Sequence, residues 1–377
     1  MSSLGLYVHL PFCPYICPYC DFAKWPMRRS AASRYLEALY AEIDAQPAEP
    51  AKTIFFGGGT PNAYSADEIA ALLARLRATY DVHGSVSETT IEINPELVAP
   101  GDFERYVAAG ITRVSIGVQS FDPAEIKTLG RKHTPEQIRA AVEGARAAGI
   151  ASISLDLIFA VPGQTLASWE RSLRAAIDLG VDHISTYGLT IEEGTPYERW
   201  YEREPSSFFD DASEADLYDR AIAILEEAGF EHYEISNFAK PGHRSEHNAN
   251  YWRNGEYAGL GVGAASYRGG ERSVHTRELN AYVDAALERK PIPAQSERLA
   301  ANKAWGEGIM LALRTAQGVG LSEFKERYGV DLEEYYARVI TRYVDAGLLE
   351  IDGGRMRLTR RGKFLANDVC GAFVTFE

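Results

Sequence analysis

Between residue 6 and about residue 190, short apolar and β-branched runs alternate with segments of helical periodicity. The runs predict six strands, at Leu6–Leu10, Thr53–Gly57, Thr90–Asn94, Arg113–Gln119, Ser152–Phe159 and His183–Leu189. Helices are predicted between them, for example over Ala66–Tyr80, Pro135–Ala148 and Leu166–Leu179. Repeated strand–helix units indicate an α/β fold with a parallel sheet and right-handed crossovers. Six units favour a partial (β/α)6 barrel over residues 1–190, open on one side, and leave a doubly wound open sheet as the alternative.

The rest of the chain follows a different pattern. Residues 191–299 hold a long helix, Ala212–Gly229, a strand near Glu231–Ile235, and a glycine-rich run from Gly255 to Gly270. We expect this region to be an α+β extension that closes the open side of the barrel. Residues 300–377 show three helical patterns and then a hairpin, Leu348–Ile351 with Arg355–Leu358, which predicts a C-terminal winged-helix-like domain.

Composition and charge narrow the class of protein. The chain has 377 residues and a formal net charge of −14, so we expect no binding to nucleic acid, which needs a basic face. Glu333, Glu334 and Asp345 in the helix before the hairpin also argue against a DNA-reading helix. No apolar run is long enough to span a membrane, and residues 1–6 lack a signal-peptide pattern. We therefore expect a cytoplasmic protein that is not an integral membrane protein.

Three of the four cysteines lie close together, directly after the first predicted strand. They form the run Cys13-Pro14-Tyr15-Ile16-Cys17-Pro18-Tyr19-Cys20. In a chain with so few cysteines this crowding indicates metal binding or redox chemistry rather than disulfides. Three thiolates suit a [4Fe–4S] cluster with one iron left open, because a cubane has four irons and thiolates are its usual ligands. There are two alternatives: a Cys3His zinc site that uses His9, or three thiols that are unrelated to one another. Cys370 is expected to be a buried structural thiol.

Polar residues and glycines fall at the ends of the other predicted strands. They are Gly57-Gly58-Gly59-Thr60-Pro61, then Glu92, Asn94, Gln119 and Asp156, with Arg131 in a following loop. Because the carboxyl ends of parallel strands meet at one face of a barrel, we expect a shared site there, in which Glu92 binds ribose hydroxyls. The alternatives are that the glycines only form a sharp turn and that Arg131 forms a structural salt bridge with Asp156.

The C-x3-C-x2-C spacing is the signature of the radical S-adenosylmethionine (SAM) superfamily. Further segments resemble its oxygen-independent coproporphyrinogen III oxidase family, namely Tyr7–Cys13, Gly57–Pro61, Ser115–Ser120, Asp156–Ile158 and Pro162–Thr165. The resemblance implies that Cys13, Cys17 and Cys20 hold a [4Fe–4S] cluster whose fourth iron binds SAM. It also implies a reductant such as flavodoxin or ferredoxin. The cofactor-binding residues that it implies are Tyr7, Tyr19, Gly59, Thr60, Glu92, Gln119, Arg131 and Asp156.

Three features separate the chain from the oxidase and favour the heme chaperones of the same family. Phe22 stands where the oxidase has a fourth cysteine, and only twelve residues precede Cys13, where the oxidase has an extension. In addition, His247-Asn248-Ala249-Asn250-Tyr251-Trp252 resembles the HNxxYW motif of the chaperones. The resemblance implies a role in porphyrin metabolism, with heme bound by His247, Tyr251 and Trp252 and passed to a client protein.

Several alternatives stay open at this point. Oxidase activity is not expected but is the enzymatic alternative, and a zinc-stabilised regulator is the non-enzymatic one. The alternative to a heme site is that His247 and Asn248 only hydrogen-bond a turn while Trp252 fills a core. The run Gly259–Gly263 is expected to let the backbone pass close to the SAM or heme pocket. Turnover of SAM, iron ligation by His247 and homodimer formation are not decided by the sequence.

Overall fold

The computed structural model describes residues 4–81 and 84–376; Met1–Ser3, which begin the segment that lacks a signal-peptide pattern, lie outside this range. The strands are β1 (Leu4–Leu10), β2 (Phe12–Cys13), β3 (Trp25–Pro26), β4 (Ala51–Gly58), β5 (Glu88–Ile93), β6 (Arg113–Gln119), β7 (Ser152–Phe159), β8 (His183–Gly188), β9 (Glu231–Glu234), β10 (Asn237–Ala239), β11 (Tyr257–Leu260), β12 (Ala265–Arg268), β13 (Glu271–His275), β14 (Ala294–Arg298), β15 (Val319–Gly320), β16 (Leu349–Asp352) and β17 (Arg355–Leu358). The helices are α1 (Arg29–Asp44), α2 (Ala66–Tyr80), α3 (Asp102–Ala109), α4 (Pro123–Thr128), α5 (Pro135–Ala148), α6 (Leu166–Asp178), α7 (Pro196–Arg203), α8 (Asp211–Glu227), α9 (Glu246–Trp252), α10 (Leu279–Leu287), α11 (Ala301–Leu313), α12 (Leu321–Tyr328), α13 (Leu332–Tyr335), α14 (Ala337–Asp345), α15 (Arg360–Phe364) and α16 (Ala366–Val374). Within the described ranges, none of these helices is both long and apolar enough to cross a membrane.

Six parallel strands form the barrel. In the sheet they follow the order β1-β4-β5-β6-β7-β8, which is also their order along the chain. A doubly wound sheet would reverse direction at a switch point, and this strand order has none. Every crossover therefore steps the same way, which places the connecting helices on one face and curves the sheet into the predicted partial barrel.

Local sequence fixes where the outer helices begin. Ser65 and Thr134 start α2 and α5 with capping boxes, in which Glu68 and Gln137 reach back to the cap backbone. Thr165 starts α6 in the same way. These caps satisfy backbone N–H groups that a helix leaves without partners. The capped helices then pack their apolar faces against strands that are buried on both sides.

The extension lengthens the sheet at both edges instead of closing it by hydrogen bonds. Strands β10 and β9 continue the sheet beyond β8, and β11 to β14 continue it beyond β1. In the described ranges the outermost strands, β14 and β9, are not joined to each other. Helix α9 lies instead near the amino ends of β4 and β5. There the Glu88 carboxylate accepts hydrogen bonds of 3.0 Å from the backbone N–H groups of Glu246 and His247.

The C-terminal domain has its own core and the predicted winged-helix-like arrangement. Helices pack on a three-stranded sheet of order β15-β17-β16. The hairpin turns at Gly353 and Gly354, both at positive φ, as a tight two-residue turn requires. Arg360 forms ion pairs with Asp219 and Glu226 of α8, so a basic residue that follows the hairpin attaches this domain to the extension.

Candidate cofactor site at the carboxyl ends of the strands

The cysteine loop is fixed at both of its ends. Strand β2 pairs with β3, and the backbone N–H of Met27 donates to the carbonyl of Cys13 at 2.8 Å. Lys24 donates to the Cys20 carbonyl at 2.5 Å. All three thiols are free, and all three line one cavity of about 390 Å³. The loop therefore presents three unpaired sulfur ligands to a single space above β1.

The glycine motif at the end of β4 packs directly against this loop. A Cβ at Gly58 would lie 2.5 Å from the His9 ring, and φ at this residue is +108°. A Cβ at Gly59 would lie 2.6 Å from the Pro11 carbonyl carbon. Side chains are thus excluded at both positions, and the backbone of Gly59 with the Thr60 side chain forms part of the cavity wall.

The predicted polar residues converge on the same cavity. Besides the three cysteines, its lining includes Tyr19, Gly59, Thr60, Glu92, Gln119, Arg131 and Asp156. Tyr7 does not line it, but lines an inner cavity of about 230 Å³ that shares Glu92 and Asp156 with it. Seven of the eight predicted cofactor-binding residues therefore share one space with the thiols, and Tyr7 lies one layer deeper in the barrel.

Arg131 connects the cysteine loop to the barrel. Its guanidinium donates to the Asn94 side chain and to the Gly117 carbonyl, each at 2.7 Å, and lies 3.8 Å from the Cys17 sulfur. The Nε atom of Arg131 is buried and has no partner among the described residues. Asp156 instead accepts from Ser115 at 3.0 Å. The alternative of a structural salt bridge between Arg131 and Asp156 is therefore not realised in this structure.

Two carboxyl groups, those of Glu92 and Asp156, line the same two cavities in the barrel interior. Burial, together with the charge of Asp156, raises the pKa of Glu92 to about 8. Burial also raises the pKa of Asp156, and hydrogen bonds from Ser185 and Ser115 oppose that rise. Two like charges in a shared buried space are costly, so Glu92 holds a proton at neutral pH while no ligand donates to it.

Gln119 has a strained backbone at the end of β6. Its φ is +65°, a left-handed value that is uncommon for a residue with a side chain. The register of β6 against β7 shifts between Gly117 and Gln119, which marks a bulge. Bulges and left-handed residues are enriched at functional sites, where they redirect a side chain. Here the bulge places the Gln119 side chain on the cavity wall.

The zinc alternative does not fit the positions of the ligands. His9 is hydrogen-bonded through Nε2 to the Ala23 carbonyl at 2.7 Å and through Nδ1 to the Tyr7 hydroxyl at 3.0 Å. Over residues 4–81 and 84–376, no three His, Cys, Asp or Glu side chains are close enough together to hold a single metal ion. The three thiols nevertheless line one cavity.

Of the residues that support the predicted ones, the sequence indicates Asn94 but not Glu96, Ser115 or Tyr187. Glu96 accepts a hydrogen bond from Tyr15 in the cysteine loop, and Asn94 both accepts from Arg131 and donates to Glu96 at 3.4 Å. Ser115 holds Asp156, and Tyr187 lines both cavities. Ser115 and Tyr187 sit in strands where residues alternate between the two faces of the sheet. That alternation is the signal that would have identified them.

The HNxxYW segment forms helix α9, and its histidine lines the inner cavity rather than the cysteine cavity. His247 is 1% exposed; its Nδ1 lies 2.8 Å from the Thr53 hydroxyl and its Nε2 lies 2.8 Å from the Tyr251 hydroxyl. Its ring stacks on Phe55 with centroids 5.1 Å apart, and burial lowers the pKa of His247 to about 3. Since a neutral imidazole has one donor and one acceptor, both nitrogens are used inside the protein. In this conformation His247 has no lone pair free for iron.

Tyr251 and Trp252 lie differently from His247. Both line a separate groove of about 480 Å³, which is described in more detail below. The ring of Trp252 packs under the Arg314 guanidinium at 4.9 Å. The HNxxYW residues thus divide between a buried hydrogen-bonded histidine and two aromatic side chains that face a groove.

The chain is similar in sequence to known proteins over nearly its whole length. The model of the Radical SAM superfamily matches residues 7–176, and that of the HemN C-terminal domain matches residues 299–365. The chain is 34% identical to the heme chaperone HemW of Bacillus subtilis (strain 168) over 98% of both chains. It is 37% identical to HemW of Mycobacterium tuberculosis (strain ATCC 25618 / H37Rv), over 98% of this chain and 94% of that one. With HemW of Escherichia coli (strain K12) the identity is 32% over 99% of both chains.

A solved structure shows the same fold. Coproporphyrinogen III oxidase (HemN) from Escherichia coli, a radical SAM enzyme, superposes with a TM-score of 0.86 over 100% of this chain and 91% of that one. The sequence identity is 24%, so this likeness concerns the fold alone. It covers the barrel, the extension and the C-terminal domain together.

Proposed function

This chain belongs to the HemW family of radical SAM proteins, and on that premise we propose that it is a heme chaperone, which binds heme and transfers it to client proteins in the cytoplasm. Membership in the radical SAM superfamily implies a [4Fe–4S] cluster and SAM. The single structural observation that supports the radical SAM part of the proposal is the cavity in which three free thiols meet the polar ends of the barrel strands, and the chaperone part is supported by the relatives.

The residues present fit the cluster. Cys13, Cys17 and Cys20 supply three thiolates, and Cys370, the fourth cysteine, is buried in the core of the C-terminal domain. The fourth position of the oxidase motif is Phe22, which is 60% exposed at the cavity mouth and carries no ligand atom. Three sulfur ligands would leave one iron of a cubane for SAM.

The residues present also fit SAM. The orphaned Nε of Arg131 and the protonated Glu92 are buried polar groups that a ligand in the cavity would satisfy. Backbone groups of Gly59 would bind the amino group of SAM, and Glu92 would accept from the ribose hydroxyls. Gln119, Arg131 and Asp156 would position the remaining polar groups, with Tyr19, Thr60 and Tyr7 around them. When bound at these residues, the cluster and SAM would supply one-electron radical chemistry.

Transfer of heme needs no radical step, so we do not expect coproporphyrinogen III oxidase activity. The chain's own part is to bind heme reversibly, keep the ring away from water, and release it to an acceptor. We propose that a small electron carrier such as flavodoxin or ferredoxin reduces the cluster.

An anaerobic preparation tests this function. The cluster-loaded protein is saturated with hemin, freed from unbound hemin, and mixed with apomyoglobin as the acceptor. We expect a Soret band that moves quantitatively to myoglobin, and transfer faster than from an equal concentration of serum albumin–hemin. Failure to retain hemin, or retention without transfer, would contradict the chaperone function. Conversion of coproporphyrinogen III to protoporphyrinogen IX in the same preparation would establish the oxidase alternative instead.

A further inference from the structure

The groove that contains Tyr251 and Trp252 lies on the open side of the barrel. Its walls come from β1, from the antiparallel strands β11 to β13, from α9 and from α11 of the C-terminal domain. Its volume of about 480 Å³ exceeds that of the cysteine cavity. Pockets of roughly 300–1,000 Å³ are typical of small-molecule sites.

The side chains of the groove suit a ligand that is a flat apolar ring with acidic substituents. Five aromatic side chains line it, from Tyr7, Phe22, Tyr251, Trp252 and Tyr257. Aromatic faces of this kind stack on extended ring systems. The indole Nε1 of Trp252 is buried and has no hydrogen-bond partner in the described part of the chain.

Two guanidinium groups lie at the groove in a chain whose net charge is −14. Arg277 donates to the Asp21 carbonyl at 2.6 Å, and no carboxylate of residues 4–81 or 84–376 forms an ion pair with it. Arg272 is paired with Glu307 at 2.6 Å and keeps further N–H donors. Arginine binds carboxylates through parallel hydrogen bonds, so Arg277 is the principal anion-binding group and Arg272 a second one.

We infer that this groove is the cargo site, where an iron porphyrin stacks on the aromatic walls and its propionates bind Arg277 and Arg272. This inference rests on the proposed function; contact of heme with Tyr251 and Trp252 already follows from the motif, and the new part is recognition of the propionates by Arg277 and Arg272. Val274 and Phe22 at the mouth are 36% and 60% exposed, so one edge of a bound ring faces solvent. An exposed edge allows a client to contact the ring before it leaves the groove.

Phe22 also relates the two sites to each other. It lines the groove, the inner cavity and the cysteine cavity, and it follows Cys20 by two residues. The cargo site and the cluster site therefore meet at one side chain. An occupied groove is expected to change the environment of the cysteine loop.

Titration of the cluster-loaded full chain with hemin and with hemin dimethyl ester tests the inference. The variant is Arg277→Glu, and the matched control is Arg338→Glu, an exposed arginine of α14 that lines none of the cavities described above. For hemin we expect Arg277→Glu to weaken binding at least tenfold and Arg338→Glu to change it less than twofold. For the ester, which has no free carboxylates, we expect both variants to bind like the wild type within threefold.

The outcomes separate this inference from the proposed function. If the wild type binds no hemin, the chaperone function fails. If it binds hemin but Arg277→Glu and Arg338→Glu behave alike, the groove assignment is wrong and the function stands. A second variant, Val274→Trp, narrows the mouth without a change of charge and should weaken hemin and its ester equally. Unchanged binding of both ligands to a folded Val274→Trp would also overturn the inference.

Discussion

The two ends of the barrel use their motif residues in opposite ways. At the carboxyl ends of the strands, thiols and polar side chains line a cavity, and the buried Nε of Arg131 there lacks a partner among the described residues. At the amino ends, the motif histidine, His247, is stacked, hydrogen-bonded at both nitrogens and closed off from solvent. A motif therefore shows which residues lie near a site. Only their unsatisfied atoms show which of them bind a ligand.

The largest expected effect is loss of the cluster when a cysteine at the carboxyl ends of the strands is replaced. In Cys17→Ser we expect iron and sulfide to fall from about four per chain to a small fraction, because one cluster corner loses its thiolate. Colorimetric iron and sulfide assays on anaerobic protein measure this. Cys370→Ala is the matched control, since that thiol lies in the C-terminal core, and it should keep its iron. Equal loss in both variants would contradict the assignment.

The second effect concerns His247, which lies near the amino ends of the barrel strands. His247→Ala removes both hydrogen bonds and the stacking on Phe55, and leaves the Thr53 and Tyr251 hydroxyls without partners. We expect the free energy of unfolding to fall by roughly 2–5 kcal/mol. Denaturant titration measures the loss.

Binding to hemin distinguishes a packing role of His247 from iron ligation. In the folded fraction of His247→Ala we expect hemin affinity within threefold of wild type and an unchanged Soret maximum. His243→Ala, which removes an imidazole with no side-chain hydrogen bond in the described structure, controls for loss of a histidine. A shifted Soret band with unchanged stability would show that His247 ligates iron.

A third, smaller effect is expected at Glu92, where one substitution should change stability and SAM binding in opposite directions. The pKa of Glu92 is raised in the folded protein, so the folded state holds a proton that the unfolded state loses above about pH 4.5. Stability therefore falls as the pH rises from about 5 to about 8 and is constant above that. Glu92→Gln removes this dependence and should stabilise the SAM-free protein more at pH 8 than at pH 5.

The same substitution should weaken SAM about tenfold, because an amide accepts less well from ribose hydroxyls. Denaturation at pH 5 and pH 8, together with SAM titration, tests both parts. Glu104→Gln, an exposed change on α3, should show neither effect. A Glu92→Gln protein that is less stable than wild type at pH 8 would contradict the account.

The smallest effect tests backbone strain. Gln119→Gly should raise the free energy of unfolding by up to about 1 kcal/mol, since glycine adopts a left-handed φ without a Cβ clash. It should also weaken SAM. Ala160→Gly relieves a similar φ of +60° outside the cysteine cavity and should stabilise without a change in SAM affinity. Destabilisation by both changes would show that neither backbone is strained.

Much of the fold was predictable because it depends on local periodicity. Arg113–Gln119 and Ser152–Phe159 match β6 and β7 in full, and the predicted helices Ala66–Tyr80 and Pro135–Ala148 match α2 and α5. The extension was harder to predict, because its strands are short and pair with both edges of the sheet. Neither the parallel pairing of β11 with β1 nor the position of α9 at the amino ends is written in any local pattern.

The candidate site was predictable where a recognised motif lies in or directly after a strand, as at Gly59 and Asp156. It was not predictable where a role depends on a distant partner. The packing of His247 depends on Thr53, which lies 194 residues away, and the groove depends on Leu311 from another domain. Such contacts arise from tertiary packing and leave no signature in one sequence.

The most direct test of the central claim is an EPR spectrum of the oxygen-free, dithionite-reduced protein with and without SAM. We predict a [4Fe–4S]⁺ signal whose g-values change when SAM is added, because three thiolates leave one iron for it. A spectrum without a cubane signal, or one that SAM leaves unchanged, would contradict the account.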